Sequence, residues 1–389
     1  MAATDSYAGG DGRLSPLSTP SATRAVLEAH GIGTKYTLGQ NFLVNDDVLK
    51  KIIALAEVGE NDRILEVGPG IGTLTIALLK HAASVIAIER DPDLPVVLAD
   101  TLHPWREKFA LIEKDALDVT EGDIVAAVAE IGADTGYPDR ASSAANETAQ
   151  WAVSQSEDCL SESGYPVAPP QEDLQLSLPS KLVANLPYAV AATVVLDYFE
   201  SFPFLDSATI MVQKEVADRM AAAVGTKNYG AYTVKLGLYA EPAGRFAVGP
   251  GNFFPPPRVD SAVIRLNRRV PLMADGAPAT PEVIAAAALI ADAAFANRRK
   301  TIANSCKTYF SGRGSLLLGA SGSSAGLRAV DGALSGGVGG AFVLDGADIV
   351  DHLPAIFDAA AIDPRRRGET LTQQEFLALG TALLKEVTV

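Results

Sequence analysis

Between Arg63 and Val224, short apolar runs and helix-length amphipathic segments take turns five times. RILEV (63–67) precedes Ile71–Leu79, SVIAI (84–88) precedes Asp91–Leu102, and FALIEKD (109–115) precedes Asp123–Ile131. KLVAN (181–185) then precedes Val190–Phe199, and ATIMVQ (208–213) precedes Glu215–Val224. Apolar runs this short suit strands buried on both faces, and a strand–helix repeat of this kind builds a mostly parallel sheet with helices on both sides. The expected fold is α/β and Rossmann-like.

The alternation stops well short of the chain end. Thr280–Phe310, Ala347–Ala360 and Thr372–Val387 read as helices, so a small helical domain over 279–389 is expected to follow a first domain over about 24–270. A chain of 389 residues suits two or three domains at roughly 150 residues each. Upstream, Met1–Thr23 has the Ser/Ala/Gly composition of a disordered tail. A helix at Arg24–His30, a loop at Gly33–Leu43 and a helix at Asp46–Ala56, capped by Asn45-Asp46-Asp47, lead into the first strand. Two stretches show no period: an acidic one at about 132–178, and a Gly/Ser-rich one at about 311–346 containing GASGSSAGL and LSGGVGGA. Both read as insertions.

Charge is segregated along the chain. The formal net charge is -15, which on average disfavours a polyanionic partner. From Asp118 to Ser180, however, twelve acids stand against Arg140 alone, whereas from Pro255 to Arg313 nine bases face four acids. The run Arg298-Arg299-Lys300 offers a phosphate-binding surface. The longest apolar helical run, Val283–Ala296, is too short for a membrane span of roughly 20 residues, so no membrane partner is expected. The first twenty residues lack the basic start and apolar block of a secretory signal, which makes a cytoplasmic protein the expectation. Cys159 and Cys306 have no metal-ligand spacing, and no metal is expected.

Chemistry concentrates at the ends of the strands. Glu66-Val67-Gly68-Pro69-Gly70-Ile71-Gly72 joins the first strand to its helix, and glycines there let a ligand approach the backbone. Thr73 stands where the last small residue of a dinucleotide fingerprint would fall, which disfavours a nicotinamide cofactor. Glu89 ends the second strand, where a carboxylate reaches ribose hydroxyls, and Asp115 ends the third, where it could accept from an adenine amine. The fourth ends in Asn185-Leu186-Pro187-Tyr188: an amide, a neighbouring carbonyl and a flat ring in a rigid turn. Two acceptors gripping the hydrogens of an exocyclic amine would aim its lone pair at an electrophile while the ring stacks on the base.

These stretches occur in order with Leu38-Gly39-Gln40-Asn41-Phe42-Leu43, Gln213-Lys214-Glu215-Val216, Phe254–Val263, Phe295–Thr301 and Ile362-Asp363-Pro364-Arg365. Together they resemble the S-adenosylmethionine-dependent ribosomal RNA adenine N6-dimethyltransferases, and within them the small-subunit (16S) type, from about Thr34 to Val387. The resemblance implies a Rossmann-like methyltransferase sheet with a small all-helical C-terminal domain. It implies S-adenosyl-L-methionine held by Asn41, Leu43, Gly68, Gly70, Glu89, Asp115 and Asn185, and a catalytic turn of Asn185, Leu186, Pro187 and Tyr188. Arg258, Arg298, Arg299 and Lys300 are the RNA-binding residues it suggests. The implied reaction is direct methyl transfer, twice per base, to two adjacent adenosines in the 3′-terminal hairpin of 16S rRNA, within the small subunit or its precursor. A monomer is expected.

The family is much tighter between Asp115 and Asn185, so the acidic insertion is expected to loop away from the RNA face. The nearest alternative is the large-subunit rRNA adenine dimethyltransferase of the macrolide-resistance type, against which the segments FFPPPRVDSAV and NRRKT argue. A different class of function, an assembly factor with dispensable catalysis, would keep the basic surface but not need an intact Asn185–Tyr188.

Overall fold

The computed structural model describes residues 12–33, 40–131, 178–318 and 342–387. All five strands anticipated from the sequence form: β2 (Arg63–Val67), β3 (Ser84–Ile88), β4 (Phe109–Ile112), β5 (Lys181–Asn185) and β6 (Ser207–Gln213), after a two-residue β1 (Phe42–Leu43). They lie parallel in the order β4-β3-β2-β5-β6. Two antiparallel strands extend the sheet: β9 (Ser261–Arg268) pairs with β6, and β7 (Ala240–Val248) pairs with β9. A short β8 (Phe253–Phe254) pairs separately with β1.

Period-two burial explains why this sheet is covered on both sides. Along β5, Leu182 and Ala184 enter one core and Val183 the other. The face of Val183 is covered by α1 (Pro20–Ala29), α2 (Asp46–Ala56), α3 (Thr73–Leu79) and α4 (Leu94–Thr101). The face of Leu182 is covered by α5 (Glu121–Glu130), α6 (Ala191–Ser201) and α7 (Lys214–Met220). The strand order reverses beside β2, which has β3 on one side and β5 on the other. A crevice must open there at the carboxyl ends of the strands.

The expectation of a disordered tail through Thr23 is corrected from Gly12 onward. Leu17 is buried, and Asp46 accepts hydrogen bonds from the backbone N–H of Leu14 (2.8 Å) and Ser15 (3.3 Å) and from the Ser18 hydroxyl (3.3 Å). The serines that suggest disorder by composition serve here as hydrogen-bonding groups, and α1 starts at Pro20 under a Thr19 cap rather than at Arg24. Asp46→Ala is expected to destabilise the protein by about 1–3 kcal/mol, read as an earlier denaturant midpoint and new proteolytic cleavage before Pro20.

A third core is built by α9 (Pro281–Phe295), α10 (Ile302–Phe310), α11 (Gly346–Ala359) and α12 (Gln373–Val387). The apolar stretch Thr280–Phe310 thus breaks into two helices, and the break holds the basic run. A ribbon of β10 (Ser315–Leu318) and β11 (Phe342–Asp345) closes the ends of the Gly/Ser-rich stretch; residues 319–341 lie outside the described residues. So do Thr34–Gly39 and nearly all of the acidic insertion, 132–177. The sheet and helical units meet closely: α8 (Ala231–Gly237), which precedes β7, reaches the helical core through Val234, with Tyr229 and Leu238 beside it, while its Leu236 lies in the sheet core. Tyr229 donates from its hydroxyl to the Leu371 carbonyl (2.8 Å), and Lys235 pairs with Asp292 (3.0 Å).

Candidate active site

At the carboxyl ends of β2, β3, β4 and β5 lies a cleft of about 510 Å³. Asn41, Leu43, Gly68, Gly70, Glu89, Asp115, Asn185, Leu186, Pro187 and Tyr188 all line it. Residues more than 140 positions apart therefore meet because the parallel sheet brings its strand ends to one edge.

The glycine turn is shaped by backbone angle more than by space. Gly68, Gly70 and Gly72 have φ of +69°, +60° and +88°, values that L side chains rarely adopt. A Cβ at Gly70 would also sit 3.1 Å from the Phe42 ring. Gly70→Ala is expected to cost about 1–2 kcal/mol in folding stability and to weaken cofactor binding by displacing Phe42 and Leu43; thermal melts and ligand titration read the two effects separately.

Along the cleft edge, Glu89 is almost fully buried and accepts through one oxygen from the backbone N–H of Arg90 and Asp91, both at 2.9 Å. Burial pushes its carboxyl above the usual carboxylate range. Asp115 accepts from the Leu117 N–H (3.1 Å) and pairs with the Arg90 guanidinium (2.9 Å), which holds its carboxyl below the usual range. Arg90, which also lines the cleft, is a residue the sequence reading missed.

Glu66 forms part of the floor. It is fully buried, its Oε2 has no hydrogen-bond partner, and burial with Glu89 nearby pushes its carboxyl up to about 8. Thr73, also in the wall, carries a second buried oxygen without a partner. The sequence marks Glu66 as the acid before the turn, yet its burial depends on the strands beside it and was not legible there.

The turn Asn185–Tyr188 closes the other side. Asn185 donates from Nδ2 to the Asn41 carbonyl (3.2 Å), which fixes the amide sense and leaves Oδ1 as its acceptor. Leu186 is anchored by its N–H to the Met211 carbonyl (3.1 Å), and the Pro187 carbonyl accepts from Val190 and Ala191 as the chain turns into α6. Tyr188 bonds through its hydroxyl to that of Ser261 (2.6 Å), and burial raises its phenol, so the ring stays neutral. A half-buried amide acceptor, a neutral aromatic wall and carboxylates at the adjacent strand ends are groups of the kind that hold an adenosyl group next to a second flat base.

Residues 33–318 match the family model described as "Ribosomal RNA adenine dimethylase". The chain belongs to that family. Curated relatives include the ribosomal RNA small subunit methyltransferase A of Enterococcus faecalis, 31% identical over 377 residues, covering 96% of this chain and 98% of that protein. The protein of the same name from Geobacillus kaustophilus is 31% identical over 369 residues, covering 94% and 97%. Among solved structures, a dimethyladenosine transferase from Plasmodium falciparum superposes with a TM-score of 0.52 at 19% identity, covering 87% of this chain and 95% of that one. The 23S rRNA methyltransferase ErmE superposes with a TM-score of 0.50 at 19% identity, covering 88% and 99%. These likenesses establish the Rossmann-like methyltransferase fold.

The residues read as RNA-binding lie outside this cleft. Arg258 is exposed on the loop that leads to Ser261. Arg298, Arg299 and Lys300 sit between α9 and α10 in the helical unit. Arg298 is committed to Glu369 (2.7 Å) and to the Thr226 carbonyl (3.0 Å), whereas Arg299 and Lys300 are exposed. Among the described residues no group of three His, Cys, Asp or Glu could hold a metal ion, and no helix is long and apolar enough to cross a membrane.

Proposed function

We propose that this chain uses S-adenosylmethionine to dimethylate N6 of two adjacent adenosines in the 3′-terminal hairpin of 16S rRNA, acting on the small subunit or its precursor. The observation that carries the proposal is the meeting, in one cleft, of the glycine turn, Glu89 and Asp115 with the Asn185–Tyr188 turn. Membership of the adenine dimethylase family and relatives named for the small subunit over 96% of the chain support the choice of substrate.

The cleft fits the cofactor on its own terms. We assign Glu89 to the ribose diol and Asp115 to the adenine amine, with Gly68, Gly70, Asn41 and Leu43 as further cofactor contacts, since all of them line the cleft. The partnerless oxygens of Glu66 and Thr73 are polar groups that a bound ligand or its water would satisfy. When bound, S-adenosylmethionine supplies an electrophilic methyl on a sulfonium that leaves as a neutral thioether.

The chain's own residues then have to make a poor nucleophile competent. Asn185 Oδ1 accepts one amine hydrogen and the Leu186 carbonyl the other, which draws the nitrogen lone pair out of conjugation. Tyr188 stacks on the adenine, which must leave its helix to enter the cleft. Asn185 cannot act as a base at neutral pH, so its work is orientation, and the acidic proton of each newly methylated nitrogen passes to water. Arg258, Arg299 and Lys300 hold the RNA backbone by charge and shape.

The test is mass spectrometry of rRNA after unmethylated small subunits are incubated with the protein and S-adenosylmethionine, with large subunits alongside. Dimethyladenosine pairs only on small subunits are expected. Modification of large subunits instead would assign the chain to the resistance-type activity, and binding without methylation would assign it to assembly alone.

A further inference from the structure

The bond between Tyr188 and Ser261 joins two stretches that the sequence presents as unrelated. Ser261 is fully buried at the first position of β9, in register with Gln213 of β6 on one side and Val248 of β7 on the other. Gln213 itself lines the cleft. The backbone beside it is pinned too, since the Lys214 N–H donates to the Asp260 carbonyl (2.9 Å). The Ser261 hydroxyl is therefore carried by the middle of three paired strands, and its recorded partner is the Tyr188 hydroxyl at 2.6 Å. Three residues upstream, Arg258 stands exposed on the same segment.

We propose that Ser261 is a positioning residue for the proposed methyl transfer: its hydroxyl fixes the Tyr188 ring as the stacking wall for the target base and ties that wall to the Arg258 loop. The inference rests on the adenine-methylating reading of the cleft. A Tyr side chain hinged only at its Cα would swing about its first torsion and carry the ring with it, whereas a tether at the hydroxyl, which lies on the long axis of the ring, holds that axis in one direction. A base stacked on a fixed ring stays aligned with Asn185, and one on a loose ring does not.

Ser261→Ala should slow single-turnover methylation about tenfold, with the affinity for S-adenosylmethionine unchanged and the melting temperature lowered by only a few degrees through the lost hydrogen bond. Ser261→Thr, which keeps the hydroxyl, should restore most of the rate. Tyr188→Phe should lose a similar amount, and Ser261→Ala should add nothing in that background. Independently of activity, the three-bond couplings of labelled Tyr188 from its backbone nitrogen and carbonyl carbon to Cγ should report one χ1 rotamer in the parent and averaged rotamers in Ser261→Ala. Additive losses, or a single rotamer kept in Ser261→Ala, would each overturn the proposal. A parent protein that methylates nothing would overturn the functional reading instead, and the rotamer couplings would still decide the role of Ser261.

Discussion

An Asn185→Ala protein is expected to transfer methyl groups at least about a hundredfold more slowly than its parent, the usual cost of losing the alignment of a reacting group. The substitution removes the Oδ1 that grips the amine and the Nδ2 bond to the Asn41 carbonyl. Leu43, two residues on from Asn41, lines the same cleft, so cofactor affinity should fall as well, but by less than the rate. Single-turnover kinetics at saturating cofactor separates the two effects. Asn185→Asp sharpens the test: it keeps an oxygen acceptor but sets a carboxylate against the Asn41 carbonyl, so it too should be slow. A loss below threefold in the alanine variant would remove Asn185 from the role of orienting group.

The second large effect concerns Glu66 and stability. Its carboxyl rises from an ordinary 4.5 to about 8 in the folded protein, because burial penalises the charged form and Glu89 lies nearby. Below 4.5 both folded and unfolded states hold the proton, and the stabilising contribution of the buried acid is fully present. Between there and about 8 the unfolded chain has released the proton while the folded one still holds it, so stability falls with pH by about 1.4 kcal/mol per unit. Glu66→Gln, of the same shape and without a proton to lose, should match the parent at pH 4.5 and exceed it at pH 8 to 9 by on the order of 4 kcal/mol. Denaturant melts of both proteins across that range are the check, and parallel curves would show that Glu66 is ionised at neutral pH in the folded state.

The parts of this fold that could be read in advance are those governed by local pattern. Helix α2 begins and ends where its apolar spacing and the Asn45 cap place it, with Asn45 accepting from Asp47 and Val48. The five parallel strands were legible because each is centred on a short, mainly apolar run, which all but β4 bury on both faces, β4 being half-buried on one. Strand β7 was not: it is largely exposed, carries Pro242 and Gly244, and shifts register between them, so neither alternation nor an apolar run marks it. The ordered segment before α1 was missed because its composition suggests disorder, while its order comes from Asp46, 28 to 32 residues downstream. Likewise the members of the site stood out as strand-end motifs, but Arg90, Glu66 and Ser261 owe their roles to neighbours from other strands. No local reading of residues 63–90 shows that Glu66 will be sealed from water or that Arg90 will reach Asp115.

Helix α8 belongs to the sheet unit by chain order and packs into both units, Leu236 into the sheet core and Val234 into the helical one, and the Tyr229–Leu371 and Arg298–Thr226 contacts stitch the same junction. The span from the catalytic turn to the exposed Arg299 and Lys300 is therefore set by packed side chains, as in a caliper locked at one opening. A tool of that kind gauges its object. An RNA that offers a flipped adenosine and, at the correct distance and angle, a phosphate ridge meets both jaws at once. A strand that offers only the base meets one. With the roles proposed above, selectivity for a properly folded particle is expected to follow from this packed joint, without any residue having to read sequence.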